Sequence, residues 1–190
     1  MKKNGKNNKK DKDNKTKTNN NKDIEVRCPF CGYVLEKKEL NSHMEIHPSK
    51  VFDWLYIGGY NTATKKSDLE KINIKYILNC ASECINLFEN DFKYCKLDIK
   101  DLPYFNIEEY FSQGIEFLKN SKNNNDGNVF VHCQLGKSRS AAIIMAYMIS
   151  EMKLNTNEAY KLLKKARSKI MPNLGFMNQL REYEKKILVE

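Results

Sequence analysis

The stretch from Val129 to Ser140 reads VFVHCQLGKSRS, and its order of residue types sets a strand, a loop and a helix start in twelve positions. The apolar run closes at His132-Cys133, and Gln134, Leu135, Gly136, Lys137 and Ser138 follow. Arg139 then opens an alanine- and isoleucine-rich stretch with a helical pattern. A loop that ends at a helix N-terminus aims backbone N–H groups at one point, where aligned peptide dipoles add partial positive charge. Such a nest suits a phosphoryl dianion and favours the thiolate of Cys133, the form of cysteine that attacks. Gly136 lets the backbone curl round an anion with no Cβ in the way. Arg139 offers a planar fork matched to two phosphate oxygens, which lysine lacks.

Outward from this centre, strands alternate with helices. VFDWLYIGG from Val51 predicts a strand ending at Gly58-Gly59, Ser67 caps a short helix through Ile72, and IKYILN from Ile74 has the composition of a buried strand. Lys93 to Asp98 is expected to be another strand. Asn106 caps the helix IEEYFSQGIEFLKN, and Ser121 to Gly127 reads as a polar loop. Asn155 with Glu158 makes a capping-box start for a lysine-rich helix, and Asn173 precedes a last amphipathic helix through Val189. The pattern predicts an α/β domain over 51–190, a mixed central sheet flanked by helices, with no internal repeat.

HCQLGKSRS resembles the H-C-x-x-G-x-S-R-S signature of the dual-specificity branch of the cysteine-dependent protein tyrosine phosphatases. WLYIGGYNTA, ILNCASE and ARSKIMPNLGFMNQLREYE are similar to other segments of that family's domain, so the resemblance covers about 140 residues. It implies a protein phosphatase acting on phosphotyrosine and phosphoserine or phosphothreonine through a phosphocysteine, with no cofactor for catalysis. In that reading Cys133 is the nucleophile, Arg139 holds the phosphate with loop residues 134 to 138, Ser140 eases departure of the thiolate, and His132 orients the loop. The family also needs a general acid ahead of the nucleophile. Asp101 is the candidate, in a D-x5-[IL]-x3-F pattern reaching Phe111, and Asp98 is the alternative. Without a separate tyrosine-recognition segment a shallow pocket is expected, lined by Tyr104 and Phe105. Phosphoproteins are the expected substrates, and Lys137 keeps a phosphoinositide open as an alternative. Cys80, Cys84 and Cys95 lie on or beside predicted strands and read as buried small apolar residues, with a redox partnership to Cys133 as the alternative.

A second constellation lies ahead of the domain. Cys28 and Cys31, then His43 and His47, give the spacing C-x2-C-x11-H-x3-H, which suits a tetrahedral structural zinc site. The two histidines are four apart and share one helix face, with Leu35 and Leu40 as a miniature core. The segment 25–48 is similar to a C2H2 finger with a short central spacer. Its helical stretch EKKELNSHMEIH carries no arginine to read guanine, so the module is expected to hold a protein partner or to fold the N-terminus, and nucleic acid is not expected.

Residues 1–24 are a lysine- and asparagine-rich arm. Nine lysines against three aspartates supply +6 of the +9 net charge, and the composition predicts disorder. No apolar run approaches a membrane span or an export signal, and cysteines suited to metal and thiol chemistry point to a reducing compartment, cytoplasm or nucleus. Two other readings stand beside the enzyme: a catalytically idle domain that binds phosphoproteins as a scaffold, and a nucleic-acid-binding finger protein with salt-dependent affinity.

Overall fold

Met1 and residues 24–188 are described by the computed structural model; the expected disorder of the arm falls on residues outside them, apart from its two ends. The described chain begins with a hairpin of β1 (Glu25–Arg27) and β2 (Val34–Glu36), a 3-10 turn at Lys37–Glu39 and the short helix α1 (Leu40–Met44). A second hairpin, β3 (Ser49–Phe52) and β4 (Leu55–Gly59), leads into α2 (Tyr60–Ala63), α3 (Lys66–Lys71), β5 (Ile74–Asn79) and β6 (Lys93–Lys96). The helix α4 (Phe111–Asn124) precedes β7 (Asn128–Cys133), and α5 (Arg139–Met152), α6 (Thr156–Ala166) and α7 (Leu174–Leu188) complete the fold.

The five-stranded sheet runs β3-β4-β7-β5-β6, parallel except for the antiparallel edge strand β3. β7 sits in its middle with both faces covered, which is why it reads as a nearly unbroken apolar run. Strand alternation sends Val129, Val131 and Cys133 into the larger core, while Phe130 enters a smaller core with Leu69, Ile77 and Phe92. Every residue of α5 from Arg139 to Ile149 is buried, because the helix packs on β7 and is flanked by α4, α6 and α7. The β7-to-α5 connection therefore opens at the carboxyl end of a central parallel strand, where α/β sheets place their ligand crevices.

The expected mixed sheet with helices on both faces is present. Some element boundaries differ. VFDWLYIGG is a hairpin, turned at Asp53-Trp54 with no glycine or proline to mark it. α3 is capped at Lys65, with Ser67 inside the helix, and β6 ends at Lys96. Helix formation near Asn106 starts as a 3-10 turn at Glu108–Tyr110, and α4 runs on through Ser121–Asn124, expected as loop, until Asn125 takes a left-handed conformation (φ 49°). The capping box at Asn155 forms: the Glu158 N–H donates to its side chain at 2.9 Å and its own N–H donates to Glu158 at 3.0 Å.

Candidate active site

Four carbonyls of the loop after Cys133 are tied to its surroundings. Gln134 O accepts from Tyr60 N at 3.0 Å, Leu135 O from Arg167 Nη2 at 3.5 Å, Gly136 O from Arg167 Nε at 3.0 Å and Lys137 O from Met171 N at 2.9 Å. A trans peptide points its N–H opposite to its C=O, so these ties turn the N–H groups of residues 135 to 138 toward the inside of the loop. Gly136 has φ +65°, and a Cβ there would run into the Gly58 carbonyl.

A cleft of about 550 Å³ opens over this loop, lined by Asp101, Cys133, Arg139, Met171 and Asn173 among others. Cys133 is buried at its floor with Sγ 3.3 Å from Ser140 Oγ. Arg139 is buried too: Nη1 donates to Glu83 Oε2 at 2.6 Å and to Ile99 O at 3.2 Å. That bond to Arg139 holds the Glu83 carboxyl below its usual range. Arg139 Nε faces Asp101 Oδ2 at 3.7 Å and has no hydrogen-bond acceptor among the described residues. A buried donor without an acceptor in a cleft is suited to an oxyanion.

Asp101 reaches the cleft. Its Oδ1 accepts from Ser138 Oγ at 2.7 Å and from Asn173 Nδ2 at 2.9 Å. Asn173 caps α7 at the same time, its Oδ1 accepting from Phe176 N at 2.9 Å, and Gly175 lets α7 approach the Pro103 carbonyl where any Cβ would clash. The alternative acid, Asp98, is exposed and does not line the cleft. Nor do the two aromatic residues expected there. Phe105 turns inward to stack on Tyr110 at 5.8 Å, and Tyr104 projects into solvent, 84% exposed.

His132 stacks on Phe130 behind the loop, and burial pushes its pKa down to about 4, so the ring is neutral at pH 7. Burial raises the thiols of Cys80, Cys84 (to about 11) and Cys95, which keeps them protonated and poorly nucleophilic. Cys84 donates to Gln134 Oε1 at 3.0 Å.

The second constellation also converges. The ligand atoms of Cys28, Cys31, His43 and His47 all lie within 4.8 Å of one another. Cys31 Sγ is 3.2 Å and His47 Nε2 3.3 Å from His43 Nε2. The 3.2 and 3.3 Å separations are close to those of neighbouring ligands on a tetrahedral zinc, with Zn–S about 2.3 Å and Zn–N about 2.0 Å. The other nitrogen of His47, Nδ1, meets Asp68 Oδ2 on α3 at 3.2 Å, the outer carboxylate that commonly orients a ligating histidine. Burial lowers the His47 pKa, which favours the neutral ring that ligates. Burial works against ionising Cys28, but hydrogen bonds from the Cys31 and Phe30 backbone outweigh it, and the thiol ends below its ordinary value. Leu35 is buried beside the cluster and Leu40 half-buried.

Three residues that hold the cleft's residues in place had no site role assigned from the sequence. Glu83, Arg167 and Asn173 all lie in segments similar to the family, but the contacts that tie them to Arg139, Gly136 and Asp101 span 56, 31 and 72 positions, and no local pattern shows them.

The family model for the dual specificity phosphatase catalytic domain matches residues 55–186. Dual specificity protein phosphatase 1-A of Xenopus laevis is 36% identical over 141 residues, 74% of this chain and 38% of the relative. Human dual specificity protein phosphatase 6 is 36% identical over 148 residues, 77% of this chain and 39% of its own. The chain thus spans about two fifths of the length of these curated relatives. Among solved structures, the human tyrosine phosphatase-like serine/threonine/tyrosine-interacting protein superposes with a TM-score of 0.70 at 33% identity, covering 75% of this chain and 98% of that one.

Proposed function

The chain belongs to the dual specificity phosphatase family, and from that premise we propose that it hydrolyses phosphotyrosine and phosphoserine or phosphothreonine on proteins through a phosphocysteine intermediate. One observation supports the reading: Cys133, Arg139 and Asp101 line one cleft, over a loop whose carbonyls are tied outward.

The Cys133 thiolate attacks phosphorus and the phosphorus–oxygen bond to the substrate breaks. Asp101, protonated, gives its proton to the departing oxygen. Arg139 and the loop N–H groups hold the equatorial oxygens as charge redistributes. Water then attacks the phosphocysteine, Asp101 takes its proton, and inorganic phosphate leaves. Ser140, 3.3 Å from Cys133 Sγ, donates to the sulfur as it regains its charge.

Protein substrates are favoured over phosphoinositides by the mouth of the cleft. Leu135, Met171 and Leu174 stand exposed around it, and a polyanionic headgroup would meet these apolar side chains with Lys137, among the described residues, as the one lysine lining the cleft. Cys28, Cys31, His43 and His47 would hold a structural zinc that supplies folding energy and takes no part in the reaction.

The test is hydrolysis of p-nitrophenyl phosphate by the purified chain and by Cys133→Ser, with EDTA present. Turnover by the wild type alone, with an early rate that EDTA spares, supports the reading. A folded, inactive wild type would replace it with the scaffold reading.

A further inference from the structure

We propose that Arg167 is a positioning residue for the phosphate loop, and the strut through which a zinc-loaded Cys28–His47 module sets that loop's geometry. The proposal rests on the zinc reading above.

Arg167 follows α6 and is 5% exposed. Its guanidinium reaches in two directions. Nε and Nη2 hold the carbonyls of Gly136 and Leu135 in the loop, while Nη1 donates to Glu45 O at 3.3 Å and to Ser49 Oγ at 3.1 Å. A guanidinium is a rigid plane, so its two ends do not adjust separately. A buried cation is also costly to leave unpaired, which resists release at either end. The peptide planes that Arg167 grips, 135–136 and 136–137, are the ones whose N–H groups face into the loop.

Glu45 lies between two of the four candidate ligands, His43 and His47. With both rings on one metal the intervening backbone has little freedom, and the Glu45 carbonyl is held in place. The module is clamped to the domain around this point. Ser168 Oγ donates to Glu45 Oε1 at 3.0 Å and Lys169 pairs with the same carboxylate. On the other side Thr62 Oγ1 donates to Ile46 O at 3.2 Å and Asp68 meets His47. Of the module's apolar residues only Cys28 and Leu35 are buried, so apolar packing alone would not fix the backbone between the clamps and the ligands. Zinc occupancy then reaches the loop in two steps: ligands to the Glu45 carbonyl, and Arg167 to the loop carbonyls.

The test uses the full chain, with zinc content by atomic absorption, the Kd for inorganic phosphate by calorimetry, and amide hydrogen exchange over residues 134–138. Phosphate binding is the readout, so the result stands apart from whether the chain turns over. We expect one zinc per chain. Removing it, by chelation or by Cys31→Ser, should weaken phosphate about five-fold or more and speed exchange in the loop. Arg167→Lys keeps the charge without the fork. In the zinc-loaded chain it should weaken phosphate to a similar degree, and zinc removal should then add less than about two-fold. Should that variant fail to fold, Ser49→Ala, at the start of β3, removes the acceptor that holds Arg167 Nη1 beside the Glu45 carbonyl and leaves the loop-side bonds intact, and it should reduce the zinc effect. The proposal is overturned if zinc binds but its loss leaves phosphate affinity and loop exchange within about two-fold. It is equally overturned if Arg167→Lys, or Ser49→Ala in its place, leaves the zinc effect whole. A chain that never takes up zinc defeats the zinc reading itself and the inference with it.

Discussion

The phosphate loop and the Cys/His module each hold a few polar atoms in fixed relation, and they do so by opposite means. Residues 132–140 hang between the central strand and a helix buried on all sides, with four loop carbonyls tied outward by neighbours that lie far off in sequence. The module has two short strands, a single turn of 3-10 helix and a five-residue helix over almost no apolar core. Its four candidate ligand side chains meet at one point, and under the proposed zinc reading its order depends on them. That reading makes each region vulnerable in its own way: the loop to changes in single side chains, the module to loss of the proposed metal.

The largest expected effect separates the two. Stripping zinc should remove about 10–16 kcal/mol of metal-coupled folding energy from the module, a range seen for zinc-finger peptides. Hydrogen exchange would then show residues 25–47 losing protection while β7 and α5 keep theirs. Equal loss in both regions would break the comparison.

Cys133→Ser comes next. Turnover should fall by on the order of 10⁴-fold or more, as when a covalent nucleophile is removed, with the melting temperature nearly unchanged. Asp101→Asn should cost about 10² to 10⁴-fold with an unactivated phenyl leaving group and much less with p-nitrophenyl, whose departure needs little protonation. An equal loss on both substrates would remove Asp101 from the acid's role.

The smallest effect is in stability. The folded His132 titrates near 4, whereas an unfolded imidazole titrates near about 6.5. Between these values the unfolded chain binds a proton that the folded chain does not, so stability falls as pH drops, by about 1.4 kcal/mol per unit and about 3 kcal/mol in all. Denaturation curves of the wild type and His132→Gln, compared from pH 7 to pH 4, should diverge by about that amount. Parallel curves would place the titration elsewhere.

How far the sequence could be read follows from how local each signal was. The β7-loop-α5 unit was legible because a continuous apolar run, a glycine and an arginine sit within twelve residues. The cluster of Cys28, Cys31, His43 and His47 was legible from spacing alone, whereas Asp101 was found only through a family resemblance. Its partners Ser138 and Asn173 lie 37 and 72 positions away. The Glu83 bond to Arg139 and the two-ended grip of Arg167 are likewise products of packing. The same limit explains the boundary errors. The Asp53-Trp54 turn carries no glycine or proline, and the polar end of α4 is helical because Ser121 packs into the domain, buried, despite its loop-like composition.

The most direct measurement is a rapid quench of the wild-type chain with a phosphotyrosine peptide, followed by mass spectrometry of the protein. The account predicts a transient phosphoryl adduct on the fragment carrying Cys133, more abundant with Asp101→Asn on an activated substrate because hydrolysis of the phosphocysteine lacks its base. Release of phosphate with no adduct at Cys133 would contradict it.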